Sequence, residues 1–166
     1  EILPWDISTE KIQALKPKGV ILSGGPESVT ASNTPRIPEI VFELDIPILG
    51  ICYGMQTLAE QFGGQVSTSK KKEFGHAEII LEETSLLFDG FSSGSSIDVW
   101  MSHGDHVSTL PDQFSILAST NSAPVAAMQH IEKPIYALQF HPEVTHTKQG
   151  NAVLDNFIFK ICKCSA

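Results

Sequence analysis

The stretch Ile48–Gln56, with the sequence ILGICYGMQ, joins an apolar segment to an amphipathic one and decides the fold. Its apolar half is typical of a strand in a parallel sheet that is covered on both faces. The helical pattern that follows ends at Gly63-Gly64, and glycine commonly ends a helix. Because Gly50 and Gly54 flank Cys52 at the spacing of a nucleophile elbow, we expect a sharp strand-to-helix turn. Side chains at the two glycine positions would collide in such a turn, which lifts the sulfur into a cleft above the sheet.

Helical and strand patterns alternate on both sides of this stretch. Apolar residues spaced by three and four predict helices over 9–15, 37–44, 55–62 and 154–161. Apolar or alternating runs predict strands over 19–22, 48–51, 78–81, 97–101, 115–118, 125–130 and 135–140. This order indicates the α/β class, with an open, mostly parallel twisted sheet flanked by helices and an additional antiparallel strand region.

The chain begins almost at a helix, although α/β chains of this type usually open with a strand. Glu1-Ile2-Leu3 is too short to supply a β–α unit. We therefore expect residues 1–166 to form a single domain that is an N-terminally truncated fragment of a larger protein, with an upstream strand and helix absent.

Composition and charge narrow the classes of function. A net charge of −8, with no basic run beyond Lys70-Lys71-Lys72, argues against nucleic acid or an anionic membrane as the main partner. We interpret the three lysines as a solvated loop. No apolar run reaches the ~18 residues of a membrane span. Three cysteines, an odd number, indicate no disulfide framework and favour the reducing cytoplasm.

A histidine and a carboxylate follow the strand predicted over 135–140. His141 comes first and Glu143 lies two residues further on, with Pro142 between them. Because residues i and i+2 of an extended segment point to the same side, we expect Glu143 to orient the imidazole. Cys52, His141 and Glu143 would then supply a nucleophile, a base and an orienting group for acyl transfer. The alternatives are a small buried cysteine and a loop histidine beside a surface glutamate.

The position of Cys52 at a helix N-terminus predicts how it is activated. Unpaired N–H groups, the helix dipole and a nearby imidazolium all favour an anion, so we expect a lowered thiol pKa. The backbone N–H of Tyr53 is the first expected oxyanion donor, and the Gly24-Gly25 loop is the source of the second. The segment Ser102–Asp105 has polar groups suited to a pocket for a zwitterionic substrate, although taken alone it is typical of a turn.

The remaining cysteines and histidines carry no recognisable site. Cys162 and Cys164 have no further ligands close by, and we assign the first to a helix face and the second to an exposed tail. We assign His106, His130 and His146 to the surface, and His76 has no assigned role. Because the sequence lacks zinc-site pairs and phosphate-binding glycine loops, we predict no metal and no nucleotide in this chain.

Three motifs resemble those of class I (triad-type) glutamine amidotransferase domains, and the resemblance runs from Glu1 to the C-terminus. They are Gly24-Gly25-Pro26, Gly50–Gln56 and Gln139–Glu143. Further strings are similar to the glutaminase domains of the GMP synthetase family: Ser23–Val29, Glu73-Phe74-Gly75, Val99–Asp105 and, most specifically, His141–Thr147. The resemblance implies a flavodoxin-like arrangement of the sheet.

The resemblance also implies a reaction, the hydrolysis of glutamine to glutamate and ammonia through a cysteine γ-glutamyl thioester. Cys52 would be the nucleophile, His141 the acid and base, and Glu143 the group that orients it. The oxyanion would be held by the N–H groups of Gly25 and Tyr53. Further positions match contacts to glutamine in such domains: Gly24, Gln56, Ser102, Gly104 and Asp105.

A partner is implied by the same resemblance, an ATP-pyrophosphatase domain or subunit of the same enzyme that lies outside this chain. It would use the ammonia to aminate XMP to GMP with ATP and Mg²⁺, in the cytoplasm, whereas this chain would need no cofactor. Two alternatives stay open. One is a glutaminase domain of another amidotransferase or a γ-glutamyl hydrolase, and the other is an inactive docking or regulatory module.

Overall fold

The computed structural model describes residues 1–165, with every side chain in that range except those of residues 70 and 71. Helices α1 to α4 span Thr9–Leu15, Glu39–Glu43, Tyr53–Gln61 and Gly150–Asp155. Strands β1 to β7 span Val20–Leu22, Ile48–Ile51, Gln65–Leu81, Ser96–Thr109, Phe114–Ser119, Ala127–His130 and Ile135–Leu138. A 3₁₀ turn covers Leu86–Phe88, and a π-helical segment, Asn156–Ile161, continues α4. None of the helices in the described part of the chain has the length and apolar content needed to cross a bilayer.

The strands form one sheet in the order β1-β2-β7-β6-β5-β3-β4. Strands β1, β2 and β7 run parallel, and the other pairings are antiparallel. The α/β class and the added antiparallel region are therefore confirmed, with three strands in the parallel part. Ile51 pairs with Leu138 at the carboxyl ends of β2 and β7. The segments that follow these two strands, which begin at Cys52 and Gln139, therefore emerge side by side, where open α/β sheets commonly bind ligands.

Two apolar clusters cover the two faces of this sheet. Leu49 and Ile51 belong to one cluster and Ile48 to the other, as alternation along a strand requires. Met55 of α3 packs in the cluster of Ile48, and Phe157 of the C-terminal segment packs in the other. Fully burying such a side chain is worth about 1.5–3 kcal/mol. Burial on both faces explains the uninterrupted apolar sequence of β2 and fixes the strand that leads to Cys52.

Strands β3 and β4 are much longer than the sequence pattern predicts. The residues over 65–77 and 102–109 are rich in serine, threonine, lysine and histidine and carry no sustained apolar alternation. They nevertheless pair in an antiparallel ribbon that has a register shift between Thr68 and Glu73. Ser102–Asp105 is therefore strand rather than turn, and Lys70-Lys71-Lys72 lies in β3 rather than in a loop. The expected solvation of the first two lysine side chains lies outside the described residues.

The C-terminal cysteines differ in their environment. Cys162 packs against the cluster of Leu49, and its sulfur fills the space beside Gly19 that a larger residue would need. Burial raises the pKa of the Cys162 thiol to about 11. Cys164 is half-buried rather than fully exposed. Cys52, Cys162 and Cys164 are all free thiols.

His130 is buried, so its predicted surface position is wrong. Its ring packs edge-on against Phe62 and Phe114, with ring centroids 5.7 and 5.1 Å away. Nδ1 accepts hydrogen bonds from the backbone N–H groups of Glu132 and Lys133, each 3.0 Å long. These bonds close the turn between β6 and β7 and require an unprotonated Nδ1. Burial, with the positive charge of Lys133, lowers the pKa of His130.

We expect part of the loss of stability in acid to come from His130. Because its pKa is lower in the folded than in the unfolded chain, its contribution is complete above the ordinary value of 6.5 and is lost as pH falls through the lowered value. His130→Phe keeps a ring but removes the acceptor. Its free energy of unfolding should be about 1–2 kcal/mol below that of the wild type near neutral pH. As the pH falls, the free energy of unfolding of this variant should decrease less than that of the wild type. Urea unfolding at neutral and acidic pH measures both, and His76→Gln, at an exposed histidine, is the control. A wild-type pH dependence in His130→Phe would contradict this assignment.

Candidate active site

Cys52 lies at a sharp turn between β2 and α3. Its backbone has φ 51° and ψ −104°, a positive-φ conformation that residues other than glycine rarely adopt. Two hydrogen bonds hold it: its N–H donates to the Leu138 carbonyl (2.7 Å), and its carbonyl accepts from the Gln56 N–H (3.1 Å). A methyl group on Gly50 would lie only 2.8 Å from the backbone of Gly54. The collision expected from the glycine spacing is therefore confirmed.

The thiol of Cys52 is buried, with 5% of the residue exposed. It donates to the Ser102 carbonyl oxygen, 3.6 Å from the sulfur, and the side-chain amide of Gln139 donates to the sulfur over 3.6 Å. Burial raises the pKa of Cys52 to about 11, and the charge of Glu143 also raises it, against the lowering effect of the Tyr53 N–H and of Gln139. The predicted lowered pKa is therefore wrong, because desolvation outweighs the helix N-terminus.

His141 and Glu143 make the contact that their spacing predicts. Nδ1 of His141 lies 2.6 Å from Oε1 of Glu143, with side-chain exposures of 17% and 48%. The imidazole also lies beside the nucleophile, because a methyl group on Gly24 would be 3.0 Å from Cε1 of His141 and 3.5 Å from Cβ of Cys52. With Nδ1 bonded to the carboxylate, Nε2 is the nitrogen left for proton exchange.

The expected oxyanion donors also lie at the elbow. The backbone N–H of Tyr53 lies close enough to the sulfur of Cys52 to lower the pKa of the thiol. A methyl group on Gly25 would lie 3.9 Å from Cβ of Tyr53, so the loop after β1 reaches the same point. The Tyr53 hydroxyl donates to the Pro35 carbonyl (2.7 Å), and its ring belongs to the cluster of Ile48. Tyr53 therefore contributes its backbone rather than its phenol to the surroundings of the sulfur.

A cleft of about 480 Å³ opens beside Cys52. This volume is within the usual range for small-molecule sites. The loop after β1, the start of α3 and strands β3 and β4 form its wall. Six of the sequence-predicted site residues line it: Gly25, Cys52, Gln56, Ser102, Gly104 and Asp105. Tyr53, Gly24, His141 and Glu143 are not among the described lining residues, and the structure instead places them around Cys52 as given above.

Asp105 and Gln56 are held by hydrogen bonds within the cleft wall. The carboxylate of Asp105 accepts from the hydroxyl of Ser28 and from that of Thr68, the latter over 2.9 Å. Nε2 of Gln56 donates to the Asp105 carbonyl (2.9 Å) and to Oε1 of Gln139 (3.3 Å). Because both amide N–H groups of Gln56 are used here, its side-chain oxygen is the group left for a ligand.

His103 lines the cleft, and its buried imidazole contacts the carboxylate of Glu73. Its Nε2 lies 2.9 Å from Oε2 of Glu73, although the two are misaligned for a hydrogen bond, and its Nδ1 lies 2.8 Å from the Asp105 carbonyl. Oε1 of Glu73 accepts from the hydroxyl of Ser122. The pair therefore ties β3 to β4 where their register shifts. Across residues 1–165, no three acidic, histidine or cysteine residues are grouped so that they could hold a metal ion.

Sequence reasoning gave no role to several residues at this site, among them Gln139 and Lys72. Gln139 is fully buried and donates to the sulfur of Cys52. The position of Gln139 directly after β7 and close to His141 is the sequence signal that could have identified it as a site residue. Lys72 lines the cleft, and its methylene groups pass over Gly104. No periodicity marks Lys72, because it lies at the register shift of the β3–β4 ribbon.

Comparison with known proteins gives matches along nearly the whole chain. The family model described as glutamine amidotransferase class-I matches residues 1–161. Curated relatives described as glutamine-hydrolyzing GMP synthase, from Hamiltonella defensa and Hahella chejuensis, are 51% and 53% identical over 99% of this chain. Each match covers 32% of the relative, so the chain spans about a third of their length.

Solved structures show the same likeness. A protein from Thermoplasma acidophilum, provisionally assigned as one of the subunits of GMP synthase, has a TM-score of 0.83 and 35% identity, over 98% of this chain and 80% of that one. A glutamine amidotransferase from Thermotoga maritima has a TM-score of 0.66 and 22% identity, over 89% and 66% of the two chains, and shows likeness of fold alone.

We expect alkylation of Cys52 by iodoacetamide to accelerate steadily with pH and to show no plateau near neutral pH, because the pKa of the buried thiol is about 11. Mass spectrometry of the peptide that contains Cys52, over a series of pH values, measures the rate. The unfolded protein is the control, and its rate should be half-maximal near pH 8.5, the ordinary pKa of a thiol, and level off above that pH. Gln139→Leu should slow the reaction of the folded protein, because it removes a donor to the thiolate. A plateau below about pH 8 in the folded protein would contradict the prediction.

Proposed function

Because the chain belongs to the class I glutamine amidotransferase family, we propose that it hydrolyses glutamine to glutamate and ammonia in the cleft beside Cys52. The observation that carries this proposal is the convergence of a nucleophile and a base. The imidazole of His141, bonded to Glu143 over 2.6 Å, borders the same small space as Cβ of Cys52. A cleft of about 480 Å³ beside the sulfur has room for one amino acid.

The first half of the proposed reaction forms a thioester. Nε2 of His141 takes the proton of the Cys52 thiol, and the sulfur attacks the side-chain carbonyl carbon of glutamine. The N–H groups of Tyr53 and Gly25 bind the resulting oxyanion. His141 then gives the proton to the amide nitrogen, the C–N bond breaks, and ammonia departs. The γ-glutamyl group stays bonded to the sulfur of Cys52 as a thioester.

The second half hydrolyses the thioester. His141 removes a proton from a water molecule, the oxygen of which attacks the thioester carbon. The C–S bond breaks, the thiolate recovers the proton from the imidazolium, and glutamate is released. Glu143 orients the imidazole and stabilises its charged form in both halves. The raised pKa of Cys52 supports a thiol that a base activates rather than a permanent thiolate.

Glutamine is a zwitterion, and the cleft wall offers both signs of charge. We propose that the carboxylates of Glu27 and Asp105 attract its ammonium group and that Lys72 attracts its carboxylate, since all three line the cleft. The backbone groups of Gly24, Ser102 and Gly104 and the side-chain oxygen of Gln56 would complete the substrate site. Fixed hydroxyl donors on Asp105, from Ser28 and Thr68, support a carboxylate held ready for a ligand.

The relatives extend the proposal to the use of ammonia. They are described as glutamine-hydrolyzing GMP synthase, and this chain matches a third of their length. We propose that ammonia passes to an ATP-pyrophosphatase domain or subunit outside this chain, which aminates XMP to GMP with ATP and Mg²⁺ in the cytoplasm.

In the full-length protein, Cys52→Ala should abolish GMP formation from glutamine but keep GMP formation from ammonium chloride. Loss of both activities, or of neither, would contradict the proposal that this chain releases ammonia and a separate domain or subunit uses it.

The glutaminase proposal is tested by a chloroketone analogue of glutamine. We expect one adduct on Cys52, detected by mass spectrometry, and protection by glutamine. Cys162 should stay unmodified, because it packs against the cluster of Leu49 and is not among the described residues that line the cleft. Cys52→Ser is the matched control and should show no adduct. A folded protein that gains no adduct on Cys52 and releases no ammonia from glutamine would favour an inactive docking module.

We expect Glu143→Gln to lower kcat for glutamine about 100-fold and to change KM little. The amide keeps the shape of the side chain, but it withdraws the negative charge that steadies the imidazolium. Ammonia release measures both constants. Glu10→Gln, an exposed glutamate on α1, is the control and should behave as wild type. Unchanged turnover in Glu143→Gln would rule out the orienting role.

A further inference from the structure

Thr147 lies six residues after His141 in the string His141–Thr147, and the proposed reaction gives it no role. Only 4% of the residue is exposed. Its hydroxyl makes two contacts in opposite senses. It donates to the carbonyl oxygen of His141 over 2.6 Å and accepts from the backbone N–H of Trp100 over 3.0 Å. A hydroxyl has one proton, so this arrangement commits the proton to His141.

Both backbone groups of His141 are thereby tied to one residue of β4. The N–H of His141 donates directly to the Trp100 carbonyl over 3.1 Å. Its carbonyl reaches the Trp100 N–H through the Thr147 hydroxyl. Because β4 is an edge strand, the backbone groups of Trp100 on its free side are available for this contact. His141 is therefore clamped to the sheet edge as an additional strand residue would be, with a hydroxyl inserted in one of the two bonds.

Glu143 does not replace this clamp. The contact between Glu143 and His141 lies within one short segment, so it sets the angle of the ring but not the position of the segment relative to Cys52. The nucleophile is also positioned against β4, because the thiol of Cys52 donates to the carbonyl of Ser102, two residues beyond Trp100. The clamp and the thiol contact therefore place base and nucleophile against the same strand.

The rest of the segment supports this position. The imidazole of His146 packs on the Trp100 ring, with centroids 4.4 Å apart and the two planes tilted by 33°. The Thr147 carbonyl accepts from the N–H of Gly150 over 2.9 Å, and Gly150 packs so closely on the Pro142 carbonyl that no side chain fits there. The chain after His141 thus folds back as a compact turn, and the hydroxyl of Thr147 bonds the end of this turn to the carbonyl of His141.

We propose that Thr147 is a positioning residue for the base of the reaction, holding His141 at its working distance from Cys52 through the hydroxyl bridge to Trp100. This inference rests on the proposed glutaminase function. Loss of the bridge leaves the part-buried N–H of Trp100 and the part-buried carbonyl of His141 without this partner and frees the segment to shift. A displacement of about 1 Å between reacting groups can cost about 100-fold in rate.

The test compares Thr147→Val, which keeps the shape and removes the hydroxyl, with Thr147→Ser, which keeps the hydroxyl. Turnover of glutamine is normalised to the number of Cys52 sites that the chloroketone titrates, so that unfolded protein does not count. We expect kcat per titrated site to fall about 10- to 100-fold in Thr147→Val, with KM within about threefold of wild type. Thr147→Ser should recover most of kcat. Thr34→Val is the matched control, because Thr34 is also buried and donates its hydroxyl to a backbone carbonyl, that of Ala31.

The outcomes separate the two proposals. A wild-type protein that neither turns over glutamine nor reacts with the chloroketone would overturn the function and the role of Thr147 together. An active wild type with unchanged kcat per titrated site in Thr147→Val would overturn the role of Thr147 alone, even if the melting temperature fell. If Thr147→Val does not fold, Thr147→Cys provides a weak donor of similar size. Its kcat should lie well below that of Thr147→Ser, and equal values would overturn the inference.

Discussion

The positive φ of Cys52 constrains the rest of the site. A residue other than glycine in such a conformation costs about 1–3 kcal/mol and persists only where its surroundings hold it. Here the Leu138 carbonyl accepts from its N–H on one side, and the first turn of α3 takes its carbonyl on the other. The close approach of Gly50 and Gly54 leaves no space for the turn to relax. The position of the sulfur therefore follows from the burial of β2 on both faces.

Strand β4 supplies the second fixed reference. In the sheet order, strands β7, β6, β5 and β3 separate it from β2, yet the Ser102 carbonyl lies 3.6 Å from the sulfur that follows β2. The β3–β4 ribbon must therefore curl back over the carboxyl ends of the parallel strands. Val66 and Val107 hold it there, because they pack in the same cluster as Met55 of α3. The site therefore depends on this curl, which brings the edge strand β4 next to the turn at Cys52.

These two constraints explain which parts of the structure the sequence could predict. The elbow depends on glycine spacing and an apolar strand, and the contact between His141 and Glu143 depends on an i, i+2 spacing, so both were predicted from neighbouring residues. The first half of β3 was missed because polar residues pair there through the backbone of a distant strand. His130 was misplaced for a similar reason, because its aromatic neighbours and backbone donors come from separate segments. The pKa of Cys52 was predicted in the wrong direction, since burial depends on the whole fold whereas the helix N-terminus is local.

The raised thiol pKa bears on how such a site reacts. A thiolate formed in isolation would be a desolvated charge close to the carboxylate of Glu143, and both effects oppose it. In the proposed reaction, transfer of the proton to His141 changes this balance, because the resulting imidazolium is bonded to Oε1 of that carboxylate over 2.6 Å. The Tyr53 N–H and the Gln139 amide receive the negative charge on sulfur without having to move. In the proposed reaction, the free-energy cost of separating the charges is therefore lowest when the sulfur attacks as the proton leaves.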